Sequence, residues 1–192
     1  MNIKIYMGSS ELVTLPFNAG PYRAFSEEPD LCLVPANNFF SSIAFETGWV
    51  NRESKDEDED ESEIESPPYL RNDLPLWLNG TADAVKAVIL LIWRGTTDKT
   101  GTVRVSGDIE MYIPDQSGGG ILILSQKEVI FPEPSEPRIA RGQRINLTRG
   151  QVFGGGLLPG RDGADILRLS VDTLRLKARG ALLWLWVDET ED

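Results

Sequence analysis

The chain has 192 residues, 41% of them hydrophobic, and 30 acidic against 19 basic side chains give it a formal charge of −11. It contains no histidine and one cysteine, Cys32. Serine–histidine and cysteine–histidine catalysis are therefore excluded, as are histidine-bearing metal sites, multi-cysteine zinc sites and an internal disulfide.

In chain order, the first residues, MNIKIYMGSSELV, lack the basic start and long apolar core of a secretion signal, so none is expected. Ile3, Ile5 and Met7 alternate with polar or amphipathic neighbours and predict a strand, broken by Gly8-Ser9-Ser10. Residues 11–17 resume an extended pattern, and 31–34 and 39–45 are short apolar runs separated by Pro35-Ala36-Asn37-Asn38. Residues 53–65, ESKDEDEDESEIE, then place nine acids beside one lysine, a net of −8 that leaves the rest of the chain at −3. Like charges repel, and only Ile64 is there to bury, so 52–66 is expected as an exposed, mobile acidic loop. A calcium loop would use carboxylates too, but its sharp turn needs a glycine, and none lies between Gly48 and Gly80.

Residues 85–93 are nearly all apolar and rich in β-branched types, which predicts a strand buried on both faces in preference to a helix. Even with Ala84 this stretch is about ten residues and contains Lys86, short of the roughly 20 needed to cross a membrane. In residues 100–113, Val103, Val105, Ile109, Met111 and Ile113 point one way and Arg104, Ser106, Asp108 and Glu110 the other. Gly107 inside this strand marks a bulge or a close contact. Shorter strands are expected at 121–124, 128–131 and 143–147, separated by Ser-Gly-Gly-Gly and Pro-Glu-Pro-Ser-Glu-Pro breakers.

The last third is basic. Between Arg138 and Arg179 nine bases face Asp162, Asp165 and Asp172, a net of +6. Clustered arginines suit phosphate or a neighbour's carboxylates, although Arg168, Arg175 and Lys177 alternate with leucines as the wet face of a strand would. The chain as a whole is too acidic for a free nucleic-acid-binding protein. Residues 166–178 read as a strand whose phase shifts near Asp172-Thr173, as at a bulge, then Arg179-Gly180 as a tight turn and 181–187 as the partner strand. About eight strands, no long helix, 18 glycines and 12 prolines predict one all-β domain over 1–192, an antiparallel jelly-roll-like sandwich with long loops.

No motif in this sequence carries an enzyme's chemistry. Asp115-Gln116-Ser117-Gly118-Gly119 looks like a protease nucleophile loop, but Ser117 has no histidine to take its proton. Residues 154–160, GGGLLPG, lack the lysine and following helix of a phosphate-binding loop. Trp77, Trp93, Trp184 and Trp186 would suit a sugar-stacking platform, whereas tryptophans within apolar strands are commonly core. Trp184 and Trp186 alternate with Leu183, Leu185 and Val187, the pattern of a strand buried on both sides, in the core or a subunit contact.

Residues 87–95, AVILLIWRG, followed by Thr102-Val103-Arg104-Val105, resemble the strand of picorna-like virus capsid proteins that ends in a Trp-Arg-Gly turn. Residues 180–192, GALLWLWVDETED, are similar to the late strand of insect dicistrovirus- and iflavirus-type capsid proteins. The resemblance covers about a third of the chain and implies a non-enzymatic shell subunit with an eight-stranded jelly roll. It implies no cofactor, metal or catalytic residue. Its partners would be other capsid subunits, with viral RNA on the inner face and no membrane. Such a protein is assembled in the host cytoplasm and resides in the virion. Arg94, Trp184 and Trp186 are the interface residues expected on this reading. Trp93 should pack in the core, Arg94 should be held by carboxylates, and Gly95 should sit at a turn with positive φ. A β-sandwich binding module for carbohydrate or protein is the alternative. A two-carboxylate glycosidase ranks behind both, since no pair of acids is placed by the sequence.

Overall fold

A computed structural model describes residues 3–7, 15–16, 21, 26–35, 42–52, 68–97, 100–115, 121–157 and 159–187. The N-terminal part contains β1 (Ile3–Met7), β2 (Leu15–Pro16), β3 (Ser26–Glu27), β4 (Leu31–Pro35) and β5 (Ile43–Arg52). Two short helices follow, α1 (Pro68–Asn72) and α2 (Leu74–Gly80), and then β6 (Ala87–Thr97), β7 (Val103–Pro114) and β8 (Leu122–Phe131). The chain continues through α3 (Pro137–Gly142), β9 (Arg144–Thr148), α4 (Arg149–Phe153) and a 3-10 turn, Gly154–Gly156. It closes with β10 (Ile166–Ser170) and α5 (Val171–Val187).

The main sheet has six strands in the order β1-β4-β5-β6-β7-β8. Strand β6 lies near its middle and is apolar on both faces, which requires a cover on each side. On one face Val88, Leu90 and Ile92 join Ala44 and Tyr112 under Leu70, Leu74, Leu76, Trp77 and Leu78 of α1 and α2. Gly48 of β5 makes that approach possible, since a Cβ there would run into the Leu70 side chain. On the other face Ala87 and Ile89 share a core with Ile109, Met111 and Ile130 and with Ile145, Leu147, Val152, Phe153 and Val171. The second cover is thus the β9–β10 ribbon with α4 and the start of α5.

The β-rich composition of the fold is as expected, and the strand at 85–93, the strand at 100–113 and the one at 143–147 are present. Four expectations are corrected. The sheet is mixed, because β5 and β6 run parallel from Ile43↔Ala87 to Arg52↔Thr96. A parallel pair needs a long crossover, and residues 53–80 with α1 and α2 supply it. The runs at 121–124 and 128–131 are one continuous strand, β8. The expected strands after residue 170, with a bulge at Asp172-Thr173 and a turn at Arg179-Gly180, are instead a single 17-residue helix, α5. Gly95 does not turn the chain. It sits inside β6 opposite Val105, and positive φ among the described glycines is confined to Gly101, Gly154 and Gly160.

The physical reason for the helix is visible in its first turn. Ser170 ends β10 and its Oγ accepts from the Thr173 backbone N–H at 3.2 Å, an N-cap, with Asp172 favourable at the positive end of the helix. Val171, Leu174, Arg175, Ala178 and Leu182 then form the inward stripe at helical spacing. An arginine at the centre of that stripe is what hid the period in the sequence. The expected acidic loop at 52–66 lies, apart from Arg52, outside the described residues.

Candidate functional site

Polar and charged groups are drawn into the fold at three places. The first is Trp93-Arg94-Gly95. Trp93 is half-buried, its ring lying across Gly107 of the neighbouring strand, where a Cβ would come within 2.7 Å of it. Phe131 closes the other side at a centroid distance of 6.3 Å, and the indole N–H donates to Thr47 Oγ1 at 3.2 Å. The β7–β8 register slips between Gly107 and Asp108, so Gly107 adjoins a bulge as well as a close contact. Arg94 is buried, and its Nη1 holds Asp108 Oδ2 at 2.8 Å. The carboxylate expected for Arg94 is therefore within the chain.

The second place is centred on Glu110, whose side chain is fully buried. Arg71 of α1 donates Nη2 to both carboxylate oxygens at 3.2 Å, Tyr112 donates its hydroxyl at 2.9 Å, and Lys127 Nζ lies 3.1 Å away. Lys127 also reaches Asp108 at 3.7 Å, so one ion network runs from Arg94 through Asp108, Lys127 and Glu110 to Arg71. Burial pushes the Glu110 carboxyl up, but the hydrogen bonds from Tyr112 and Lys127 and the charges of Arg71 and Lys127 outweigh it and hold it below the ordinary range. Burial and the Glu110 carboxylate push the Tyr112 phenol up to about 12. At neutral pH Glu110 is thus an ion and Tyr112 a phenol, and neither is poised to exchange a proton. Asp108 and Glu110 do project from the same face of β7, as a pair of glycosidase acids would, but Lys127 lies between them and Glu110 has no accessible surface.

The third is Arg175, buried completely although it is charged. Its Nε donates to Ile130 O at 2.7 Å, Nη2 to Val129 O at 2.7 Å and Nη1 to Ala140 O at 3.2 Å, while Nη2 also meets Gln143 Oε1. Ile130 is the extra residue where Gly107 pairs with Phe131 and Asp108 with Val129, so the guanidinium satisfies carbonyls beside a bulge. The Gln143 side-chain amide then passes on to Glu128 Oε2 at 2.7 Å. A second slip opposite Met111 and Tyr112 is flanked by Gln126, whose amide bonds both Asn146 O and Asn146 N at 2.8 Å. The edge of β8 is therefore closed over its second half by side chains. Among the described residues no such side chain covers its start: Ile121 just before the strand, and Ile123 and Leu124 within it, are 60%, 41% and 45% exposed.

Beside this edge an apolar cavity of about 380 Å³ is lined by Val105, Phe131, Leu182 and Leu183, with Arg179 over the Phe131 ring at 5.7 Å and paired with Glu133. Leu176 and Leu183, seven residues apart on α5, are both exposed. Trp184 and Trp186 lie in the last turns of that helix, not on a strand, and their side chains are outside the described residues. Arg94, the third expected interface residue, is buried. Sequence reasoning missed Arg71, Glu110, Lys127, Gln143 and Arg175 as a group. The apolar run of β6 did contain a signal for Glu110, since a neighbour buried on both faces implies that both faces of β7 are covered too. No group of three or more metal-binding side chains occurs among the described residues. No family model, curated protein or solved structure matches the chain.

Proposed function

We propose that this chain is a non-enzymatic structural subunit that works by assembling with copies of itself or with sister subunits. The observation that carries this reading is the open apolar first half of β8 at the edge of the main sheet. Natural edge strands are blunted by charges, bulges or covers, and β8 uses bulges and side-chain covers only from Ser125 onward. An apolar edge left open beside a closed one is a pairing surface. The polar groups that might have signalled chemistry are spent on each other and on backbone, as in an ion network that fixes α1 to the sheet.

The finer form of this proposal is a picorna-like capsid protein, a jelly-roll-like subunit packed around RNA in a virion assembled in the host cytoplasm. It draws support from the β-rich fold and from the strand at 87–93, although Gly95 continues that strand to Thr97 where the resemblance calls for a Trp-Arg-Gly turn. Residues 180–192 no longer support it, because they are helical through Val187 where the capsid resemblance calls for a strand. A second reading, a binding module, is favoured by the cavity between Phe131 and Leu182.

Light scattering coupled to size exclusion tests the proposal on the intact chain. Wild type should elute as an oligomer, and Ile121→Lys with Ile123→Lys should shift it toward monomer while leaving the circular dichroism spectrum unchanged. A wild-type chain that stays monomeric at its highest soluble concentration, with no sister chain restoring a larger particle, would overturn it. Quenching of tryptophan fluorescence by added sugars would transfer the assignment to the binding module.

A further inference from the structure

The outer face of the β9–β10 ribbon is basic and unpaired. Burial alternates along the ribbon, so Ile145 and Leu147 face the core while Arg144 and Asn146 of β9 and Arg168 and Ser170 of β10 face outward. Arg168 lies opposite Asn146 and Arg144 opposite Ser170, which makes the two arginines diagonal neighbours about 7–8 Å apart. Helix α3 leads directly into this ribbon and adds Arg138 and Arg141, three residues apart on one exposed side. By contrast Arg149 pairs with Asp165, Arg179 with Glu133, and Arg175 is taken up by carbonyls and the Gln143 amide. Among the described residues Arg138, Arg141 and Arg168 make no ion pair or side-chain hydrogen bond, and Arg144 donates only to the Gln143 carbonyl at 2.7 Å. The exposed acids at the borders, Glu136 and Asp172, pair with none of the four. Arg144 and Arg168 on the ribbon, with Arg138 and Arg141 on the helix that leads into it, offer unused fork-shaped donors to an anion.

The same chain carries the complementary charge. Residues 53–65 have a net charge of −8, and the remainder of the molecule only −3. We propose that the arginine face of the ribbon receives the acidic run, residues 53–65, of a second copy of the chain. The inference rests on the reading of the chain as an assembling subunit and names one of its contacts.

Connectivity selects a second copy over the chain's own run. The run leaves β5 at Arg52 and enters α1 at Pro68, and α1 packs on the face of the sheet opposite the ribbon. Strand β5 lies three places from β8, about 14 Å across the sheet, and the ribbon stands a further layer of about 10 Å beyond it. Fifteen residues separate Arg52 from Pro68, and thirteen of them are the run itself. No linker is left to carry the run around the sheet and back while it also lies along the arginines. From a neighbouring molecule the run has no such tether to satisfy. RNA is the competing polyanion, but the acidic run is the one this chain itself supplies wherever two copies meet.

The test uses the full chain and a labelled peptide of sequence ESKDEDEDESEIE, read by fluorescence anisotropy at low salt. Binding should be measurable, should weaken about tenfold in the triple variant Arg138→Ser, Arg141→Ser, Arg168→Ser, and should vanish near 1 M salt, where screening acts within about 3 Å. Replacing residues 53–65 by a Gly-Ser segment of equal length should lower the oligomer mass by light scattering and strengthen peptide binding, since the neighbour's run no longer competes. Absent binding, or affinity indifferent to the triple variant, overturns the proposal. So does peptide binding that strengthens on replacement while the oligomer mass stays the same, which would place the run on its own molecule. Tighter binding of a single-stranded RNA oligonucleotide through the same arginines would also overturn it, in favour of nucleic acid. An oligomer that persists unchanged with the run replaced removes this contact but leaves assembly through β8 standing, so the two readings fail separately.

Discussion

Glu110 and Arg175 are both fully buried charges, and the protein accommodates them in opposite ways. Glu110 sits in a regular stretch of β7 and is neutralised by charged side chains from α1 and β8. Arg175 sits on a helix and is satisfied mainly by backbone carbonyls, two beside the bulge of β8 and one in α3. In the first case the backbone is complete and the side chains solve a side-chain problem. In the second the backbone is incomplete and one side chain repairs it. The difference matters for what each charge stabilises: Glu110 ties a helix to a sheet, whereas Arg175 makes the docking of α5 and the bulge of β8 a single cooperative unit.

The largest effect should therefore come from Arg175. Arg175→Met keeps the unbranched stem only as far as Nε and removes every donor from the Val129 and Ile130 carbonyls and the Gln143 amide. We expect a loss of about 4 kcal/mol in denaturant unfolding, with α5 losing its amide exchange protection first. Arg175→Lys should restore little, because one ammonium cannot reproduce the planar fork that meets Val129, Ile130 and Ala140 together. If the lysine variant were as stable as wild type, the charge alone would matter and the comparison with Glu110 would collapse.

Glu110→Gln should cost less, about 2–3 kcal/mol, since Arg71 and Lys127 are partly exposed and can recover water. Its pH signature is distinctive. The folded carboxyl titrates below the ordinary glutamate value, so its stabilisation is fully present above that value and is lost as pH falls through the lowered one. Tyr112 works in the opposite direction. Its phenol is raised to about 12, so its contribution is complete below the ordinary tyrosine value near 10 and fades as pH rises toward 12. Urea unfolding followed at acid pH should show a steeper loss of stability for wild type than for Glu110→Gln. Equal slopes would mean that the network contributes nothing through ionisation.

The two regions also differ in how far the sequence declares them. The unbroken apolar run of β6 and the period of two in β7 make strand type, the burial of β6 on both faces and the peculiarity of Gly107 legible. The parallel pairing of β5 with β6 is not, because it depends on a crossover whose first part is the acidic run. After residue 166 the leucines at 167, 169, 174 and 176 are compatible with alternation, and the strand does persist through Ser170. The phase change near Asp172 was read as a bulge but is the helix N-terminus, with Ser170 as cap. An inward-facing arginine and a glycine at 180 suppressed the remaining helical signal. Burial of Arg175 could not be inferred locally, because its partners are 32 to 46 residues away in the chain.

Trp93 gives an effect of intermediate size that sharpens the legible side of the comparison. Its ring is half-buried over Gly107 and against Phe131, so Trp93→Ala should cost about 2 kcal/mol, below the roughly 3–5 expected of a fully enclosed aromatic. A cost at the top of that range would show the ring more enclosed than it is here. In a double-mutant cycle with Phe131→Ala the two losses should not add, because the rings share one contact.

Gly180→Ala is the smallest effect and the one whose sign decides most. Read as part of a tight turn after Arg179, Gly180 would need a conformation that alanine resists, and the substitution would destabilise. In the structure Gly180 lies in the interior of α5, with no positive φ, and a Cβ built there meets nothing within 4 Å. Glycine in that position carries only the entropic penalty of ordering the most flexible residue into a helix. Alanine should remove it and raise stability by about 0.5–1 kcal/mol, measured as a higher denaturation midpoint with an unchanged denaturant slope. Ellipticity at 222 nm should rise slightly, by roughly what one better-formed turn contributes. A lower midpoint would return residues 179–180 to a turn and 181–187 to a strand, and would restore the part of the capsid resemblance that the helix removed.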